Sequence, residues 1–191
     1  MLNTKYFVFN TEEQLPAVQL NPDALGNAWF VGQLEVADDA RAESDALRRI
    51  DLRTTAVVDR SFAGLIADTE PGIAPDASVQ LSGFTPKQLD YDCTSSTPGT
   101  IVFSEIYYPY GWKATIDGEP AEHFRVNYVL RALNVPEGSH HIRFVFDPDS
   151  VRKGDRIATA CVVLMYLFIL GAIILGLYAC IKNRRNAAAP H

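Results

Sequence analysis

A cluster of aromatic residues is the feature of this sequence best suited to chemistry. Residues 104–118 read SEIYYPYGWKATIDG, with three tyrosines and one tryptophan between Tyr107 and Trp112. Such rings offer rigid, amphipathic faces that suit stacking on sugars, and polar side chains further along the chain can hydrogen-bond sugar hydroxyls. The predicted glycan-contacting residues are Tyr108, Tyr110, Trp112, Asp117, Arg125, Asn127 and Arg131.

The same stretch also fits an ordinary strand–turn–strand unit. Pro109 and Gly111 are typical turn residues. Because successive strand residues point to opposite faces, one of Tyr107 and Tyr108 is expected in the core. A binding surface and a plain turn are therefore both compatible with this segment.

The other potentially reactive residues do not form a recognisable site. His140 and His141 are adjacent, so on a strand they face opposite ways and do not ligate one metal. Asp147, Asp149 and Asp155 are too few and too widely spaced for a calcium loop. Nucleophile-elbow, phosphate-loop and dinucleotide motifs are absent from the sequence. We predict no catalytic residue, no metal site and no cofactor for this chain.

A long apolar segment near the C-terminus predicts a transmembrane helix over 157–181. No charged residue occurs between Arg156 and Lys182. A helix of this length measures about 37 Å, enough to cross a hydrocarbon core of about 30 Å. Ala172 and Gly176 form a small-xxx-small pair that would let another helix approach closely. The predicted division is a domain at 1–150, a juxtamembrane linker at 151–156, the span, and a basic tail at 182–191.

The distribution of charge limits the partners and gives a weak indication of orientation. All 23 acidic residues precede the apolar segment, and such an acidic domain is unsuited to nucleic-acid binding. The tail KNRR favours a cytoplasmic C-terminus by the positive-inside rule. Arg152, Lys153 and Arg156 flank the other side, however, so the count of basic residues alone does not decide the orientation.

Export of the domain ahead of this span needs an explanation, because residues 1–20 do not resemble a signal peptide. Two explanations remain open at this point. The chain is either a tail-anchored cytosolic protein or the end of a longer membrane protein with earlier spans. Cysteine usage does not report the compartment, since Cys93 is alone outside the apolar segment.

Short apolar runs separated by turn residues predict a mainly β domain, an antiparallel sandwich or jelly roll. The segment 38–50 instead has helical spacing, with Asp39 as cap, Glu43 in the first turn, and Ala46, Leu47 and Ile50 on one face. The predicted strands lie at 5–9, 27–36, 54–59, 79–84, 88–94, 100–108, 112–116, 125–135 and 140–146.

Several stretches together resemble the C-terminal end of YfhO-like bacterial membrane proteins. They are MLNTKYFV, GNAWFV, FSEIYYPYGWKATIDGE, NYVLRALNVPEGSHHIRFVFDP and GDRIATA, which occur in the family's order and cover nearly the whole chain. The family's usual turn is closer to YYPGW, and here Tyr110 is inserted between Pro109 and Gly111.

The resemblance implies a function and a location. YfhO-like proteins are polytopic, look like GT-C-type glycosyltransferases that use polyprenyl-phosphate sugars, and are implicated in glycosylating cell-envelope polymers. Their catalytic acids are expected near the first spans, upstream of this region, so none is carried over to this chain. The implied role is a non-catalytic extracytoplasmic domain in the cytoplasmic membrane, with the lipid bilayer, upstream spans and an envelope glycan as partners. The alternative is a membrane-anchored module that binds a protein and no sugar.

Overall fold

The chain divides into two compact units, which a computed structural model describes over residues 1–10, 16–66 and 72–187, with side chains up to Lys182. The first unit, Met1–Phe146, is here called the β-domain, and the second begins at Asp147. The structure is mainly β, with one long apolar C-terminal helix and with sheets whose described strand pairs are antiparallel apart from one parallel pair, Gln33–Ala37 with Thr55–Asp59. This confirms the predicted fold class.

The described part of the β-domain contains thirteen strands, one α-helix and one 3₁₀ helix. The strands are β1 (Tyr6–Asn10), β2 (Pro16–Leu20), β3 (Ala28–Val31), β4 (Gln33–Ala37), β5 (Thr55–Asp59), β6 (Ser78–Thr85), β7 (Gln88–Ser95), β8 (Gly99–Ile106), β9 (Trp112–Ile116), β10 (Glu119–Ala121), β11 (His123–Val126), β12 (Leu130–Val135) and β13 (Gly138–Phe146). The helices are α1 (Ala40–Ala46) and the 3₁₀ helix Arg60–Leu65.

Two sheets pack face to face around the main core. One has the order β10-β9-β13-β7-β6 and the other the order β3-β8-β12-β11-β5-β4. Tyr91, Phe103 and Phe144 meet edge to face between the sheets, with ring centroids 4.8–6.3 Å apart. Such aromatic pairs each contribute about 0.5–1.5 kcal/mol beyond the area they bury.

The six-stranded sheet is strongly curled, and its two edge strands are joined at Gly32. β3 and β4 occupy opposite edges of this sheet, yet Gly32 alone separates them in the chain. A flat sheet of six strands is about 24 Å wide, far more than one residue can span. The edges must therefore meet at Gly32, where an added Cβ would lie 2.8 Å from the backbone of Gly72.

Curling gives the six-stranded sheet a second buried face with its own core. Trp29 belongs to this core and donates its indole N–H to the Leu52 carbonyl at 2.9 Å. The other fully buried members come from alternate positions of neighbouring strands: Ala56, Val58, Val102, Phe124, Val126, Leu130 and Ala132. The sandwich prediction is therefore confirmed, but its larger sheet is buried on both faces.

Two predicted long strands are each divided in the structure. The strand expected at 27–36 is β3 and β4 with the turn at Gly32 between them. The strand expected at 125–135 is wrong, because β11 and β12 form a hairpin through 127–129. Asn127 and Tyr128 adopt positive φ values of 50° and 72° there. Asparagine tolerates this conformation better than most residues. Tyrosine is not a typical turn residue, so the sequence does not reveal the turn.

The short helix follows its prediction. The Asp39 side chain accepts a hydrogen bond from the Ala42 N–H at 2.8 Å, which caps the first turn. Ala46 is buried, and Leu47 and Ile50 pack with it against the six-stranded sheet. Glu43, also in the first turn, is fully buried.

The hairpin of β1 and β2 stands apart from both larger sheets. The strand predicted at 5–9 is confirmed, although we expected a buried strand and every residue of β1 is exposed. Among the described residues, the hairpin pairs only with itself. The exposed apolar side chains are Tyr6, Phe7, Val8, Phe9, Val18 and Leu20.

The second unit is built on one long helix, α2 (Asp149–Ala187). It is long and apolar enough over Asp149–Lys182 to cross a membrane. The predicted juxtamembrane linker, 151–156, is part of this helix, and Arg152 within it pairs with Asp147. Residues 188–191 of the predicted basic tail lie outside the described part of the chain.

Candidate functional site

A cleft opens beside the aromatic turn, between the β8–β9 connection, the β9–β10 edge and the start of β11. Its volume is about 650 Å³. β9 begins at Trp112 and pairs with β13 on one side and β10 on the other, which fixes two walls. The lining residues are Tyr107, Pro109, Trp112, Lys113, Ala114, Thr115, Pro120, Ala121, Glu122 and His123.

Trp112 is the central aromatic wall of this cleft and is held by its neighbours. Its ring packs against Phe146 with centroids 5.3 Å apart. The guanidinium carbon of Arg131 lies 4.5 Å from the centroid of the Trp112 ring. A desolvated cation–π contact of this kind is worth about 2 kcal/mol. The indole is therefore fixed in position before any ligand arrives.

Tyr107 and His123 form a second aromatic wall. Their ring centroids are 5.4 Å apart, and Phe62 packs edge-on against Tyr107 at 5.6 Å. The other side of His123 meets Phe144 at 5.7 Å. Burial, together with the nearby charge of Arg131, lowers the pKa of His123 to about 4. The imidazole is thus neutral at physiological pH and can donate or accept a hydrogen bond.

Arg131 lies beneath the Trp112 wall and is incompletely satisfied. Its side chain is 1% exposed, and its clearest bond is from Nη2 to the Ile106 carbonyl at 3.2 Å. Glu105 is 4.0 Å away, and Nε and Nη1 have no hydrogen-bond partner within the described residues. Desolvation lowers the pKa of Arg131 to about 10, so it remains charged. Burial also raises the pKa of Tyr91, whose hydroxyl stays neutral.

The aromatic turn divides into two sides. Tyr107 and Trp112 line the cleft, while Tyr108 and Tyr110 do not. Tyr108 instead contacts Tyr110 at 5.7 Å and Phe146 at 6.4 Å between ring centroids. Tyr108 is 47% exposed and Tyr110 is 77% exposed. Tyr107 is half-buried and belongs to no buried core cluster of the described residues, so the expectation that one of the two adjacent tyrosines lies in the core is wrong.

Asp117 lies at the other end of β9, in the turn to β10, with a φ of 52°. Its carboxylate contacts Nδ1 of His140 at 2.6 Å and accepts the His141 backbone N–H at 2.8 Å. These bonds lower the pKa of Asp117 and raise that of His140. The His141 ring contacts Asp92 instead, at 2.7 Å, so the two imidazole rings have different carboxylate partners.

Arg125 and Asn127 serve contacts within the fold. Arg125 reaches Glu43 at 3.0 Å and Asp59 at 3.2 Å. The Asn127 side-chain oxygen accepts the Val57 N–H at 2.9 Å, and the Asn127 backbone N–H donates to the Val57 carbonyl at 2.8 Å. Asn127 thus continues the pairing of β11 with β5 through the turn.

The seven predicted glycan-contacting residues therefore do not converge on one surface. Trp112 alone of the seven lines the cleft, with Arg131 in contact behind it. The sequence reasoning missed His123 because it began that strand at Arg125. Alternation would have placed His123 on the same face as Arg125, and pairing of Arg125 with Arg131 puts all three side by side. No sequence pattern marked Lys113, Pro120 or Glu122 as residues of a site.

In the second unit, Ala172 and Gly176 both lie exposed along α2. Their proposed contact with another helix stays a prediction. Within the described residues, no group of three or more His, Cys, Asp or Glu is placed to hold a metal ion.

No family model, curated protein or solved structure gives a significant match to this chain. The interpretation of the cleft therefore depends on its own residues.

Proposed function

We propose that this chain is a membrane-anchored, non-catalytic β-domain that holds part of a cell-envelope glycan in the cleft beside Trp112. The observation that carries the proposal is the pre-positioned indole, packed on Phe146 and on Arg131 at the wall of an open cleft. Preorganised aromatic walls bind with a low entropic cost, because few rotamers remain to be frozen.

The remaining chemistry of the cleft suits a carbohydrate. A volume of about 650 Å³ falls within the usual range of small-ligand sites. The aromatic walls supply apolar faces. Glu122, Lys113 and the neutral imidazole of His123 supply donors and acceptors for hydroxyl groups. The cleft lacks a paired nucleophile and base among these lining residues, which favours binding over catalysis.

The wider setting of the proposal is the resemblance to YfhO-like proteins. In that setting α2 is the last span of a polytopic protein, the β-domain is extracytoplasmic, and earlier spans carry out sugar transfer. Reading the DNA directly upstream of the first codon tests this part. An open reading frame that extends upstream into apolar spans would support it. An in-frame stop codon directly upstream, with an unrelated gene before it, would contradict it.

Glycan binding is tested with the full chain in lipid nanodiscs, titrated calorimetrically with defined teichoic-acid and peptidoglycan fragments. We expect Trp112→Ala to weaken binding by about tenfold or more, because the main stacking wall is lost. Tyr110→Ala is the matched control from the other side of the turn and should bind like the native chain. Heat that is absent with every glycan, or equal for both variants, would contradict the proposal.

A protein-binding module is the second candidate, and the exposed hairpin favours it. β1 and β2 present six large apolar side chains with no covering element in the described chain. Isolated two-stranded hairpins are marginally stable in water, so a partner would stabilise this one. Crosslinking from Val8→Cys in the native membrane would support this candidate if it captured one defined protein, and would oppose it if it captured lipid alone.

A further inference from the structure

We propose that the outer side of the aromatic turn, formed by Tyr108 and Tyr110, rests in the headgroup region of the bilayer that holds α2. Phe84, near the end of β6, and Lys87, in the β6–β7 turn, extend this surface, which is called here the basal surface. The proposal is independent of glycan binding and requires only that α2 crosses a membrane.

The length of the chain keeps the basal surface near the lipid. Phe146 is the last residue of β13, and two residues separate it from Asp149, where α2 begins. The first residue of the apolar run is Ile157, eight positions along the helix. Eight helical residues rise about 12 Å and three extended ones reach about 10 Å. Phe146 therefore lies within roughly 22 Å of the hydrocarbon boundary in any arrangement of the two units.

Two parts of the basal surface, Tyr108 and the β6–β7 turn, contact Phe146. The ring of Phe146 contacts those of Tyr108 and Trp112, with centroids 6.4 Å and 5.3 Å away. Gly111 makes this packing possible, because a Cβ at that position would collide with the Phe146 ring. The Phe146 N–H also donates to the Lys87 carbonyl at 2.8 Å, which places the β6–β7 turn at the same end of the domain.

The exposed side chains at this end have the chemistry of a membrane interface. Tyr110 is 77% exposed and Phe84 is 70% exposed, an unfavourable state for aromatic rings in water. Tyrosine is enriched at the headgroup level because its ring prefers an apolar setting and its hydroxyl prefers a wet one. Lys87 is exposed at the same end of the domain and would reach lipid phosphates while its stem follows the apolar boundary.

A bilayer is the favoured occupant because the chain itself brings it within reach. A protein partner would need its own means of arriving at this end, and nothing in the contacts around Phe146 requires one. Seating the rings would orient the β-domain on the membrane and would leave the cleft side of the turn, with Tyr107 and Trp112, available to other ligands.

The test uses the full chain in nanodiscs of phosphatidylcholine and phosphatidylglycerol, with Cys93, Cys161 and Cys180 replaced by alanine. One environment-sensitive dye is attached to Tyr110→Cys, and in separate samples to Phe84→Cys or Thr97→Cys. Thr97 is the control. It lies in the β7–β8 turn, near Ser95, which pairs with the first residue of β13. That end is about 27 Å from Phe146 along the strand.

Quenching by nitroxide lipids gives the answer. We expect the dyes at 110 and 84 to be quenched at least threefold more strongly than the dye at 97 by headgroup-labelled lipid. Equal, water-like quenching at all three positions would overturn the proposal. Dyes at 110 and 84 that are shielded from water but untouched by nitroxide lipid would also overturn it, in favour of a protein partner. The dye positions are exposed, whereas Cys93 is a buried core residue, so near-ultraviolet circular dichroism must show a native fold in the cysteine-free chain and in each variant.

Discussion

Arg125 and Arg131 sit directly opposite each other on β11 and β12, yet their guanidinium groups have very different environments. Arg125 is paired with Glu43 and Asp59. Arg131 is nearly fully buried, with two unpartnered nitrogen atoms in the described chain and aromatic rings above it. Arg125 therefore stabilises the fold through its ion pairs, whereas Arg131 mainly holds the Trp112 ring in position.

Replacing each arginine by methionine should separate these roles. We expect Arg131→Met to change the free energy of unfolding by less than about 1 kcal/mol, because methionine packs well on aromatic rings and the desolvated charge is removed. Glycan affinity should nevertheless fall, since the contact that fixes Trp112 is lost. Urea unfolding of the full chain in detergent and calorimetry give the two values. A loss of 3 kcal/mol in Arg131→Met would show that the buried charge supports the fold.

The pair of Glu43 and Arg125 should behave in the opposite way. Glu43 is fully buried and accepts from Arg125 at 3.0 Å and from the Tyr128 N–H at 2.6 Å. Glu43→Gln leaves the arginine without its buried counter-charge, so we expect a loss of about 3 kcal/mol in urea unfolding. The double variant with Arg125→Met should lose less than the sum of the two single variants. Strict additivity would contradict a direct interaction.

Much of the β-domain was predictable because its strands carry local signals. β7, β9 and β13 were each expected within about two residues, since alternation and turn residues mark their ends. Asp39 and the apolar face of α1 were likewise visible in the sequence. The hairpin at 127–129 was missed because its turn contains no glycine or proline.

The site was less predictable than the fold, because it depends on pairings between distant segments. Trp112 was identified from its type, but its partner Arg131 is nineteen positions away and meets it only across the sandwich. Asp117 looked like a neighbour of Trp112 in sequence, yet β9 carries it to the opposite end of the strand. Composition identifies aromatic residues that can bind, whereas strand register decides which of them share a wall.

The close approach of the Gly72 backbone to Gly32 offers a test of the packing at this corner. In Gly32→Ala, the new Cβ would lie 2.8 Å from the Gly72 backbone, which has no flexible side chain to move away. We expect a loss of about 1–3 kcal/mol in the free energy of unfolding. Gly64→Ala is the control, because a Cβ there meets nothing within 4 Å. Equal stability of the two variants would mean that the Gly72 backbone does not pack closely against Gly32.

His123 should make the stability of the β-domain fall in mild acid. Its pKa is about 4 in the folded protein and about 6.5 when unfolded. Between these values the unfolded chain binds a proton that the folded chain does not. Stability from this group is therefore fully present above pH 6.5 and is lost as the pH falls towards 4. After allowance for partial solvent exposure, the loss is roughly 1–2 kcal/mol.

The variant His123→Phe isolates this contribution, because phenylalanine keeps the ring contacts with Tyr107 and Phe144 but cannot be protonated. The difference in unfolding free energy between native and variant chains should shift by that amount between pH 7 and 4.5, in favour of the variant at low pH. His140 is the internal contrast. Its pKa is raised by Asp117, so its stabilisation is present below pH 6.5 and is lost as the pH rises through the folded value. His140→Asn should therefore lose more stability at pH 5 than at pH 8. A native-minus-variant difference for His123 that stays constant with pH would show that the imidazole is protonated in the folded cleft.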